Sequence, residues 1–383
     1  MSTNTELSGY CDSKFEPLRQ AFLENFHSRG EIGGAIALQI DGEHVVSLWA
    51  GWQDTKSMTP WAENTLTNVY STTKGVAATI IAILVSEGRL RYEDKVVDYW
   101  PEFAGGGKES VTVAMLMSHQ AGLSGFREPI SVESFYDSRA AAATLASMTP
   151  LWTPGEGCGY HPISIGFMVD ELCHRLTGKS IRDLVQAHLA ERYHHGIYIG
   201  CPQSEQHRAA TLYRSQGLDS TDVVEQEQEL TELQMIALGN PVFDQELPNT
   251  PEWRSAVIAS ANGFASAQGL SALYGSLAAP DNSDNPSLVT RDVLQQCCTP
   301  QVEGTDKTLA VDARWGCGYL VNSLGLYGPS ECAFGHSGWG GSFAFADPEK
   351  SIGFAYVMNQ MGEKLIGDPR NVALIDTLYQ CFD

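Results

Sequence analysis

Ser71 and Lys74 stand three residues apart in Asn68-Val69-Tyr70-Ser71-Thr72-Thr73-Lys74-Gly75, just before the apolar run Val76-Ala77-Ala78-Thr79-Ile80-Ile81-Ala82-Ile83-Leu84-Val85. On a helix beginning near Ser71, that spacing puts both side chains on one face, one turn apart. A serine hydroxyl is a poor nucleophile until a neighbour takes its proton, and a lysine buried among apolar groups loses affinity for its own. The pair thus has the chemistry of an activated nucleophile. A helix N-terminus adds positive potential and N–H groups where negative charge develops. The same spacing also describes an ordinary exposed helix start, so its weight depends on partners elsewhere.

Two other stretches could supply them. Trp152-Thr153-Pro154-Gly155-Glu156-Gly157-Cys158-Gly159-Tyr160-His161-Pro162 is a Gly/Pro-rich loop that delivers a phenol, Tyr160, just before a helix. Phe334-Gly335-His336-Ser337-Gly338-Trp339-Gly340-Gly341 opens a predicted strand, and its glycines let a backbone approach a ligand and expose N–H groups. Other stretches fail the tests of their chemistry. Gly178-Lys179-Ser180 has Cys173 where a phosphate loop needs glycine, and Gly335-His336-Ser337-Gly338-Trp339 breaks the Gly-x-Ser-x-Gly pattern at its last position. His194, His195 and His207 lack a carboxylate at ligand spacing, so no metal and no cofactor are expected.

The elements that must position these groups read as follows. Phe15, Leu18, Phe22 and Phe26 recur at helical spacing up to Gly30. Ala35 to Ile40 and Val45 to Trp49 flank Asp41-Gly42, a strong hairpin signal. From 86 to 250, helical segments (Thr112 to Gln120, Ala140 to Ser147, Ser164 to Leu176, Ser180 to Arg192) alternate with loops, and no strand is predicted. Asp219 to Glu232 reads as a solvated acidic stretch. Strands are predicted at Trp315 to Val321, Gly341 to Ala346 and Ser351 to Met358, and a last helix at Arg370 to Phe382. Consecutive hairpins with helices packed on them make an α+β fold around an antiparallel sheet. The reading is a single domain, 1–383, with an α/β lobe from 1–85 and 251–383, a helical lobe from 86–250, and a site between the lobes.

Composition bounds the partners. With 43% hydrophobic residues in 383, the chain can build a large core. Its 24 Lys+Arg against 46 Asp+Glu give a net charge of −22, which repels phosphate backbones and anionic membrane surfaces, so neither nucleic acid nor membrane is an expected partner. Nine cysteines without a C-x-x-C read as reduced core thiols, with the vicinal pair Cys297-Cys298 the one redox candidate. The first residues lack a basic region and an apolar core, and no stretch reaches membrane-span length, so a cytoplasmic location is expected.

Taken together, Ser71-x-x-Lys74, Tyr160 after a Pro-Gly loop and His336-Ser337-Gly338 opening a late strand resemble the serine β-lactamase and penicillin-binding-protein superfamily. The similarity is greatest to its esterase branch, the family VIII carboxylesterases, which resemble class C β-lactamases. Leu116-Met117-Ser118-His119-Gln120-Ala121-Gly122-Leu123, the stretch Gly155 to Gly178, and Ala261-Asn262-Gly263 with the helix after it fit the same pattern, over roughly Phe15 to Phe382. The resemblance implies that fold, with Ser71 as acylated nucleophile and Lys74 and Tyr160 jointly moving its proton. It also implies an oxyanion site made by the backbone N–H groups of Ser71 and Trp339, with His336 and Gly338 beside the substrate. His119 is expected to be a structural hydrogen-bonding residue.

Two departures bear on substrate. Many relatives carry Tyr-x-Asn where this chain has Tyr160-His161-Pro162, and proline has neither a side-chain donor nor an N–H. The third motif begins with Lys in lactamases and with His336 here, a group mostly uncharged at neutral pH. Both changes suit a less polar, small-molecule ester. The leading expectation is a carboxylesterase acting on short-chain acyl esters. The alternatives are an amidase, D-aminopeptidase or weak β-lactamase of the same fold, or a non-catalytic binding protein that kept it. Trp152, Phe334 and Trp339 are candidates for the pocket wall, and the sequence leaves oligomeric state open.

Overall fold

The computed structural model describes residues 6–193, 196–215, 230–279, 287–364 and 366–382. Most of the acidic stretch 219–232, together with His194 and His195, lies outside the described residues. The described strands are β1 (Ser8–Cys11), β2 (Gly33–Ile40), β3 (Glu43–Asp54), β4 (Thr59–Pro60), β5 (Thr67–Asn68), β6 (Ile197–Ile199), β7 (Gly263–Ala265), β8 (Val302–Thr305), β9 (Asp312–Trp315), β10 (Leu320–Val321), β11 (Phe334–Ser337), β12 (Phe343–Asp347) and β13 (Ile352–Met358). Ten of them form one antiparallel sheet in the order β1-β3-β2-β13-β12-β11-β10-β9-β8, with β4 added to β3. Both ends of the chain therefore build the same sheet, joined where β13 pairs with β2.

The hairpin at Asp41-Gly42 forms as its sequence dictates: both residues have positive φ (51° and 85°), which matches the right-handed twist of the flanking strands. β2 is buried along almost its whole length, so it reads as an apolar run rather than an alternation. Among the described residues, five helices have twelve or more residues: α1 (Glu16–Ser28), α2 (Thr73–Ser86), α3 (Ser164–Thr177), α4 (Ala267–Ala278) and α5 (Pro369–Gln380). Helix α4 lies across β2, β12 and β13, and α1 packs on α5. The approach of α4 is close enough that a Cβ at Gly353 would collide with the backbone of Gly275 and Ser271. Helix α2 is apolar all round because it is enclosed all round: every residue from Thr73 to Leu84 is buried. No helix among the described residues is long and apolar enough to cross a membrane.

Three sequence expectations need correction. The stretch 86–250 does contain a strand: β6 pairs with β7, which pairs with β5, in a separate three-stranded sheet. Three buried residues are too few to show a period, and the partner β7 lies far along the chain. Trp315 to Val321 is two strands, β9 and β10, because the chain turns back at Gly316 to Gly318 with Gly318 at φ 93°. His336 does not merely open a later strand; it sits inside β11, opposite Ala344 of β12.

Candidate active site

Ser71 lies in a one-turn 3₁₀ segment, Tyr70–Thr72, that runs into α2, rather than in the α-helix itself. Tyr70 is held at φ 41°, a costly conformation for a residue with a side chain. It persists because its ring is wedged between Trp253 and Trp339, with centroids 6.3 and 5.2 Å away, and its hydroxyl donates to Gln245 O. On the other side β7 grips the turn: Val69 N donates to Gly263 O at 2.9 Å and Gly263 N to Thr73 Oγ1 at 2.8 Å.

Lys74 follows in the first turn of α2, only 4% exposed. Its Nζ stands 3.0 Å from Ser71 Oγ and donates to Pro162 O at 2.6 Å and Ser260 O at 2.9 Å. No carboxylate among the described residues joins this set, and burial pushes the amine's pKa well below its ordinary value. Nζ also sits 4.7 Å from the Tyr160 ring centroid.

Tyr160 is buried, its hydroxyl interacts with that of Ser71, and burial pushes its pKa up, so it stays a phenol at neutral pH. Its ring stacks on Trp315, with centroids 5.5 Å apart and planes 10° from parallel. Asp306 ties the two together. One oxygen accepts from Tyr160 N, Thr308 N and Leu309 N at 2.8, 2.9 and 2.9 Å, and the other from Trp315 Nε1 at 3.0 Å. Behind Tyr160, His161 Nδ1 faces Gly159 O while Nε2 accepts from Leu123 N, which fixes a neutral tautomer. His119 Nδ1 accepts from His161 N at 3.2 Å, and its ring sits edge-on to Tyr160 and Trp315. Burial pushes His161 down to about 3 and lowers His119 as well.

The turn from β11 to β12 closes over Ser71. Gly338 N donates to Ser342 O, and Ser342 Oγ donates to Val69 O and meets Thr72 Oγ1. Any side chain at Gly338 would collide with Val69 O and the Ser342 hydroxyl, so glycine is required for this approach. His336 is buried beside Tyr160; its Nδ1 is 2.8 Å from Ser337 O, which assigns the proton to Nδ1 and leaves Nε2 an acceptor with no hydrogen-bond partner among the described residues. Burial, then the nearby Lys74, push its pKa down to about 3.

These groups open on a cavity of roughly 420 Å³ whose walls include Leu320, Leu324, Leu326, Phe343, Val372 and Ile375. Ser71, Tyr160, His336, Gly338 and Trp339 all line it, and Lys74 stands behind Ser71. Trp152 and Phe334 do not: Trp152 packs on Gly159 and His161, and Phe334 on Tyr319 and Tyr274. Asp306, Trp315 and the α5 wall were not found by sequence reasoning. Asp306-Lys307-Thr308 carried one local signal, an aspartate able to cap the N–H groups two and three residues on.

The decoys resolve structurally. Gly178, at φ 75°, ends α3, and Ser180 with Asp183 caps the next helix. Cys297 and Cys298 are free, and burial pushes both thiols up, Cys297 to about 12. Among the described residues, Cys332, Asp347 and Glu349 are the one group close enough to share an ion, and Asp347 is already occupied by the hydroxyls of Ser330 and Tyr379.

A large antiparallel sheet with helices packed on it, and a serine turn leading into a buried helix, is the β-lactamase/transpeptidase fold. The chain belongs to the beta-lactamase family, whose model matches residues 13–377. It is 30% identical over 376 residues to the Esterase/beta-lactamase LipL of Mycobacterium tuberculosis (strain ATCC 25618 / H37Rv), spanning 94% of this chain and 84% of that protein. The crystal structure of a family VIII carboxylesterase is 38% identical, with a TM-score of 0.91 over 98% of this chain and 100% of that one. A penicillin-binding protein homologue from Caulobacter crescentus is 40% identical, again with a TM-score of 0.91 and coverage of 98% and 100%.

Proposed function

We propose that the protein is a serine esterase that hydrolyses short-chain acyl esters through an acyl-Ser71 intermediate. The relatives named as esterases and the family VIII carboxylesterase structure support a serine hydrolase of this fold. The observation that carries the assignment further is the surroundings of Lys74 Nζ. A neutral amine has two N–H groups and one lone pair. Two carbonyl oxygens take the hydrogens, and the lone pair is left for the Ser71 hydroxyl.

In this reading Lys74 accepts the Ser71 proton as Oγ attacks the ester carbonyl. The N–H groups of Ser71 and Trp339 receive the oxyanion, worth about 10²–10³-fold in rate for each such donor. Tyr160 gives its proton to the departing alkoxide and regains one from Lys74. Water then enters where the alcohol left; as its oxygen attacks the acyl carbon, its proton passes through Tyr160 to Lys74, and Lys74 hands one to Ser71 Oγ as the acid departs.

His336 and Pro162 favour an ester over the amidase, D-aminopeptidase and β-lactamase readings. His336 is neutral and offers no cation for a carboxylate, and the Pro162 carbonyl is spent on Lys74. A non-catalytic binding protein would have no use for a desolvated lysine facing a serine. The substrate is a small, weakly polar ester; the charge of −22 argues against nucleic acid and anionic membranes as partners, and nine free thiols fit the cytoplasm.

Intact-mass spectrometry after brief mixing with p-nitrophenyl butyrate, or with a fluorophosphonate, followed by peptide mapping, tests the assignment. Label on the Ser71 peptide, lost in Ser71→Ala along with nitrophenol release, is expected. Full turnover by a pure Ser71→Ala sample would sink it.

A further inference from the structure

Arg370, at the start of α5, is 3% exposed, and its five N–H donors are all used. Nε and Nη2 form a fork on Asp368 at 3.0 and 2.8 Å; Nη1 donates to Glu31 Oε2 at 3.1 Å and Gln360 O at 2.8 Å; the second Nη2 hydrogen goes to Gly340 O at 2.7 Å. Tyr356 donates to Glu31 from the sheet side. A buried ion cluster of this kind is weak evidence for stability, because desolvation offsets most of the Coulombic gain. Its geometry is more informative than its energy.

The Gly340 carbonyl belongs to the turn that carries Trp339. Gly340 and Gly341 have φ of 92° and 122°, and a Cβ at Gly341 would strike the guanidinium, so the turn is shaped around Arg370. On its other side the turn is fixed to Val69 O and Thr72 Oγ1, the residues flanking Tyr70-Ser71. It is thus clamped between the nucleophile turn and one arginine. We propose that Arg370 is a positioning residue for the oxyanion site, holding the Trp339 N–H at the distance from Ser71 that the tetrahedral intermediate needs. The proposal rests on the acyl-serine reading above.

The test compares Arg370→Lys, which keeps a charge but loses the planar fork, with Glu31→Gln, which loosens the same cluster without touching Gly340 O. Turnover of p-nitrophenyl butyrate is normalised to the sites that a fluorophosphonate labels at Ser71. Arg370→Lys is expected to lower kcat by about 10- to 100-fold, less than outright deletion of a donor, with KM changed by less than about twofold. Its affinity for a boronic acid that forms a tetrahedral adduct should fall in step with kcat. Glu31→Gln should lower the melting temperature and leave kcat per labelled site intact. Wild-type kcat in Arg370→Lys, or equal kcat losses in both variants, overturns the role of Arg370 alone. A wild-type enzyme that takes no label at Ser71 overturns the acyl-serine reading and this proposal with it.

Discussion

Lys74 Nζ and Ser71 Oγ stand 3.0 Å apart, and the other two neighbours of that nitrogen are carbonyl oxygens, which can only accept. Its lone pair reaches Ser71 only while the amine is neutral, the state that burial favours.

The pH dependence follows in sign. Protonation fills the lone pair, so kcat/KM should fall as pH drops through the lowered Lys74 pKa and level off above it. His336, pushed down to about 3, is already uncharged at neutral pH, so His336→Asn should leave in place an acid limb that belongs to Lys74. A pH–rate profile of the two proteins checks this, and a limb that shifts with His336→Asn would assign it to the imidazole instead.

Tyr160→Phe keeps the ring stacked on Trp315 and removes only the hydroxyl that meets Ser71. It should cost about 10²–10⁴-fold in kcat with little change in melting temperature. Lys74→Ala should cost at least as much, and the double variant should be little worse than the poorer single one, since in the proposed mechanism the two handle the same proton. Losses that multiply would show that they act separately.

Asp306 is buried beneath the site, where four N–H groups converge on it, including those of Tyr160 and Trp315. Asp306→Ala orphans all four and should cost about 2–5 kcal/mol of stability, read by denaturant unfolding. Asp306→Asn turns an NH₂ toward N–H donors; a smaller stability loss and slower turnover are expected as Tyr160 loosens. A variant with wild-type kcat would leave Asp306 a purely structural residue.

What the sequence made legible divides by distance along the chain. Ser71 and Lys74 could be read because three-residue spacing is a local rule, and the Asp41-Gly42 hairpin because two backbone conformations at neighbouring residues decide it. Tyr160 and His336 could be read only through the order of motifs, since nothing within either segment says that they meet. Asp306 was invisible as the link between Tyr160 and Trp315, as was Arg370 as the link between Glu31 and Gly340. Those bonds join residues 146, 339 and 30 positions apart, along with one only 9 apart, and no periodicity encodes them. Strand β6 was missed for the same reason: its partner, not its own pattern, makes it a strand.

Gly75 follows Lys74 in α2, and a Cβ there would collide with the hydroxyl of Tyr274, which is buried without a hydrogen-bond partner among the described residues. Gly75→Ala should therefore cost about 1–3 kcal/mol by overpacking and, by displacing the first turn of α2, slow turnover. Tyr274→Phe removes an unsatisfied polar group and should be neutral or stabilising by about 1 kcal/mol. With the hydroxyl gone, the added methyl has space, and alanine gains about 0.5–1 kcal/mol over glycine within a helix. The double variant should accordingly recover most of the stability and kcat lost in Gly75→Ala. A double-mutant cycle by denaturant unfolding measures the coupling; simple additivity would mean that α2 yields at Gly75 without pressing on Tyr274.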